Sequence, residues 1–172
     1  MSCDVVAFSA MLWAASFSPG QADSAPKPAP HVMQAPAVPL SVAPPSVSGE
    51  PLFIDIVKRA RQLKAQTEAY RGELAKADPA GAAVTLKGFD AFSSKIADLA
   101  ALDMKGHVTL KERGAVDDLK CILRGISVDL PEKLTAMGEA KTVKAQDLAL
   151  RDMVYLLNDN VEVITAPPQP AA

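Results

Sequence analysis

The sequence predicts an all-α fold, an antiparallel up-down-up-down four-helix bundle, and three observations carry that expectation. From Val143 to Ile164 the apolar residues Val143, Leu150, Met153, Val154, Leu157, Val161 and Ile164 recur at steps of three and four, with Gln146 the one polar break. Such spacing places one greasy stripe on one side of a helix, and Lys144, Asp147, Arg151, Asp152, Asp159 and Glu162 fall on the other. Three upstream stretches of similar length repeat the pattern. The connections between them are short, which favours antiparallel neighbours.

Ahead of the helices stand two segments of different composition. Val5 to Phe17 form an apolar run of about 13 residues broken only by Ser9 and Ser16. It is shorter than the roughly 20 residues of a membrane-spanning helix and fits the core of a signal peptide. Gly20-Gln21-Ala22 supplies small residues where a signal peptidase reads, so residues 1–22 are expected to be a signal peptide cleaved after Ala22. Its opening residues carry an acid, Asp4, and no Lys or Arg, unlike the usual positive start. Residues 23–50 then read APKPAP, QAPAVPL and VAPPSV. Proline at this density removes backbone donors and fixes φ, giving a disordered spacer of polyproline character, about 3 Å long per residue. Uncleaved, the leading segment would tether the protein to a membrane.

The helical domain is expected over 51–165. Its first helix starts at Pro51, whose missing N–H costs nothing in a first turn. Leu52, Ile56, Ala60, Leu63, Tyr70 and Leu74 form the stripe, widened by Phe53 and Val57. Asp78-Pro79 is the expected start of the second helix, which carries Val84, Phe89, Phe92, Ile96, Leu99 and Leu102 and stops at Lys105-Gly106. Thr109-Leu110-Lys111-Glu112 has the spacing of a capping box and is expected to open the third. That helix meets Pro131, where it kinks and runs on to Met137, or splits to give a five-helix version. The last helix begins near Thr142. Residues 166–172, with three prolines, are expected to be a disordered tail.

Charge narrows the function. Between 51 and 165, 17 Lys and Arg face 17 Asp and Glu with the signs interleaved, so no basic face is present and nucleic acid is not an expected partner. Cys3 and Cys121 lie far apart, and Cys3 would leave with the signal, so no disulfide is expected within the mature chain. Cys121 reads as a small buried hydrophobe.

Bundle cores can hold metal or haem. Di-iron bundles use Glu-x-x-His pairs, yet the one histidine of the helical stretch, His107, has no Glu three residues before it and is expected in a loop. In export signal, size and short connections the layout resembles the cytochrome b562-like bundles. That family uses an axial Met early in the first helix and an axial His late in the last. The corresponding places here hold Leu52, Phe53 and Ile54, then Val161, Glu162 and Val163. The resemblance covers architecture alone, and neither haem nor metal nor any other cofactor is expected. Asp117-Asp118 and Asp159 with Glu162 read as solvated acids. Asn158-Asp159-Asn160 reads as surface. No phosphate loop or nucleophile elbow is present in the sequence, and no catalytic residue is assigned.

The expectation is therefore an exported protein, periplasmic or secreted, that is not an enzyme and binds a partner protein or an envelope component. A homo-oligomer is compatible with it. The alternative is a sensor or carrier that takes a small apolar ligand between its helices beside Tyr70, Phe89 and Phe92.

Overall fold

The computed structural model describes residues 46–115 and 118–166. Four helices make up the fold: α1 (Pro51–Leu74), α2 (Phe89–Glu112), α3 (Leu119–Glu139) and α4 (Val143–Thr165). The described residues contain no strand. An isolated bridge between Ala82 and Thr142 is their one β-type pairing. The expected signal peptide, almost all of the linker and the tail beyond Ala166 lie outside the described residues.

The helices pack as a bundle, with α1 chiefly on α4, α2 chiefly on α3, and the α1–α2 seam the loosest. The core holds Phe53, Ile56, Phe92, Ile96, Leu99, Leu123, Leu130, Leu150, Met153, Leu157 and Ile164, all essentially without solvent contact. Each such side chain contributes about 1.5–3 kcal/mol by leaving water. Two helices sit where the spacing puts them. α1 opens on Pro51, and Thr142 caps α4 by accepting a hydrogen bond at Oγ1 from the Ala145 N–H at 3.2 Å.

The middle of the chain differs from expectation. Asp78 does not start a helix. Its Oδ1 accepts from the Ala80 N–H at 2.9 Å and its carbonyl from the Gly81 N–H, which closes a turn. The backbone beyond extends and pairs with the α3–α4 connection: Ala83 N–H donates to the Lys141 carbonyl and Val143 N–H to that of Gly81. α2 begins only after Gly88, whose φ of 75° suits glycine and disfavours other residues.

Gly106 does not end α2 either. A β-carbon there would lie 3.1 Å from Leu123 Cδ1 and 3.4 Å from Phe53 Cε1, so this glycine permits close helix packing. The stop comes at Gly114, with φ 68°, where Gly114 N–H donates to the Lys111 carbonyl and Ala115 N–H to that of Leu110. Those are the two bonds of a Schellman motif. Thr109 consequently lies in the last turn of α2 and opens no helix. α3 runs through Pro131 in one piece, so the five-helix version is discarded.

Candidate functional site

Apart from Thr67 and Ser127, which donate to carbonyls of their own helices, the buried polar residues gather toward one or the other end of the bundle. At one end Gln146, the polar break in the α4 stripe, is buried and binds one residue of the extended backbone through both halves of its amide. It accepts from the Val84 N–H at 2.9 Å and donates to the Val84 carbonyl at 2.9 Å. The side-chain amide thus completes a backbone pairing that the short extended segment could not make alone. Nearby, the Tyr70 hydroxyl donates to the Lys87 carbonyl at 3.0 Å, and Arg71 forms a two-pronged ion pair with Asp147, its closer contact 2.8 Å.

Tyr70, Phe89 and Phe92 are brought together at this end. Tyr70 meets Phe92 edge-on with centroids 5.3 Å apart, and Phe89 lies 5.9 Å from Phe92. The three rings occupy one another's faces and edges, a favourable aromatic packing.

At the other end, α2 contributes Asp103 and His107, α3 Lys120, and α4 Asn160 to the interior. His107 lies inside α2, not in a loop. Its Nδ1 lies 2.6 Å from the Lys120 carbonyl, so this nitrogen carries the proton and donates. The buried Lys120 amine donates to the Ala115 carbonyl.

Asp103 and Asn160 both have 0% exposure, and Asn160 Nδ2 donates to Asp103 Oδ2 at 2.7 Å. The remaining oxygens, Asp103 Oδ1 and Asn160 Oδ1, are buried without a hydrogen-bond partner. Burial pushes the Asp103 carboxyl up to about 7, against the opposing influence of the Asn160 bond. Asn160 is therefore no surface residue. The place of Asp103 is legible in the sequence: it follows Ile96 and Leu99 at helical spacing, as Asn160 follows Met153 and Leu157.

On the outside, α4 exposes Leu148 at 49% and Tyr155 at 63%. Seven residues apart, they share a face. The Arg71–Asp147 pair lies near Tyr155, and Asp152 is held by Arg151 at 3.1 Å and Lys133 at 3.4 Å. Burial pushes the Asp152 carboxyl up, and the bonds and charges of Arg151 and Lys133 together outweigh it and hold the group below its ordinary range. Along the α1–α2 seam a groove of about 280 Å³ runs past Lys58, Arg59, Gln62, Gln66 and Lys95, with Arg59 neutralised by Asp55 at 3.0 Å. It falls below the usual size of a small-molecule pocket.

Cys121 on α3 is half-buried and disulfide-bonded, which corrects its reading as a buried, unbridged hydrophobe. Cys3 lies outside the described residues. Among the described residues no group of three or more His, Cys, Asp or Glu side chains could hold a metal ion. None of their helices is long and apolar enough to cross a membrane.

The described residues define a small four-helix bundle with a buried acid–amide pair in its core and an aromatic residue displayed on its last helix. Comparison with family models, with curated proteins and with solved structures found no match.

Proposed function

We propose that this is an exported, non-enzymatic protein whose up-down-up-down bundle binds a partner protein or envelope component through the outer face of α4. Exposed Tyr155, with Leu148 two turns away, is the observation that supports it. Tyrosine is favoured at binding hot spots because it offers a large rigid apolar surface and a polar tip. Here it is flanked by ion pairs, Arg71–Asp147 and Asp152 with Lys133, the arrangement of an apolar centre inside a polar rim. Export rests on the signal-like run Val5 to Phe17, and the proline-rich linker would hold the bundle away from its attachment point.

Capture experiments with the full chain on detergent-solubilised envelope of the native host test the assignment. The wild type retains a defined partner. Tyr155→Ala, whose side chain is mostly in water, keeps the wild-type melting curve and loses at least tenfold in apparent affinity. Equal capture by both proteins excludes this face.

A further inference from the structure

We propose that Asp103 and Asn160 form a proton-binding site in the bundle core, where a neutral Asp103 carboxyl donates from Oδ1 to Asn160 Oδ1 while the Asn160 amide donates to Asp103 Oδ2. Loss of that proton weakens the tie between α2 and α4.

The geometry requires something of this kind. Two planar groups are already joined by one 2.7 Å bond, and each is left with one buried oxygen lacking a partner. Two oxygens that only accept cannot satisfy each other, and a buried polar atom without a partner is costly. A single proton on Asp103 Oδ1 turns one of the acceptors into a donor. α2 and α4 are diagonal in the bundle, so the pair spans its centre.

The charged groups around the pair are otherwise engaged. On α2, His107 donates to the Lys120 carbonyl one turn further on. On α3, the Lys120 amine is held by Ala115. On α1, the Lys64 amine donates to Asn158 at 2.6 Å. On α4, Asp159 and Glu162 are exposed, and Glu162 accepts from Asn158 at 2.7 Å. None of them is among the influences on Asp103, which are burial and Asn160 alone.

The direction of the pH effect follows. A carboxyl with a folded-state value above its unfolded value binds more protons folded than unfolded. Its contribution is complete below the ordinary carboxylate range and declines as pH rises toward about 7, beyond which it levels. Within that window each pH unit lowers the folding constant by up to about tenfold. Other carboxyls, such as Asp152, act in the opposite direction, so the informative quantity is a ratio.

Asp103→Asn supplies the reference. Its amide can donate to Asn160 Oδ1 and accept from Asn160 Nδ2, as the protonated acid does, and it does not titrate. Denaturant unfolding of the full-length wild type and variant at pH 4.5, 5.5, 6.5 and 7.5 gives the ratio of their folding constants. The expected ratio, wild type over variant, falls at least tenfold across the series. A constant ratio overturns the proposal. Carbon-13 NMR of the wild-type Asp103 carboxyl provides a second measurement, independent of whether the variant folds. A midpoint near neutrality supports the proton site, and a midpoint in the ordinary carboxylate range rules it out.

Discussion

Two buried polar groups in this bundle, Gln146 near one end and the Asp103–Asn160 pair toward the other, find their partners in opposite ways. Where Tyr70, the 75–88 connection and the start of α4 meet, Gln146 and the Tyr70 hydroxyl reach into the interior, and both end on backbone groups that need them. Where α2 passes Phe53 and α4 nears its end, Asp103 and Asn160 meet side chain to side chain and leave two oxygens over. Backbone partners are fixed, with no protonation state to change. A carboxyl–amide pair depends on a proton. The bonds of Gln146 are therefore indifferent to pH, and those of the acid–amide end are conditional.

Three substitutions would sharpen or break that contrast. Leu157→Asp has the largest expected effect. It places a second carboxyl in a fully buried site one turn from Asn160, at a cost above about 4 kcal/mol, enough to abolish the cooperative melt. A retained helical spectrum with a sharp transition would mean that this end admits water. Gln146→Ala comes next. It leaves the Val84 N–H and carbonyl without their partners, for a loss of about 1–3 kcal/mol. Hydrogen exchange should rise at 82–86 and stay unchanged in the last turn of α2. A uniform rise along the chain would show that the two ends are not independent. Tyr70→Phe is the mildest. It removes the hydroxyl's bond to the Lys87 carbonyl and the one it accepts from the half-exposed Gln66 amide and keeps the ring packing, so about 1 kcal/mol is lost and the melting temperature falls by a few degrees.

Apolar periodicity made the four helices legible, and cap chemistry made α1 and α4 legible nearly to the residue. Pro51 and Thr142 act locally, so nothing distant needed to be known about them. The start of α2 and the α2–α3 turn were misplaced for the converse reason. Asp78-Pro79 and Thr109 through Glu112 carry good helix-start signals, but tertiary contacts decide both cases. The extended segment after Gly81 is held by Lys141, Val143 and Gln146, more than 50 residues away in the chain. Gly106 looked like a terminator because glycine often ends helices, whereas its place against Leu123 and Phe53 follows only from helix packing.

The aromatic trio was legible as a group, and the structure does unite it. Asn160 reads as surface from its polar neighbours Asn158 and Asp159, and Asp103 as a mere interruption of an apolar stripe. They find each other only when α2 and α4 come together across 57 positions of sequence.

The contacts at the conditional end also decide how the molecule would respond to being pulled. Glu50, just before α1, is tied to Arg113 just after α2, at 2.8 Å, and Asn160 near the close of α4 sits against Asp103. The two boundaries of the folded unit thus emerge at the same pole. Tension applied between residues 46 and 166 would open α1 and α4 like a zipper, one turn at a time, starting beside the acid–amide pair, instead of shearing the whole seam at once. Resistance to stretching would then be set by the first few turns and would soften as the surroundings become more alkaline.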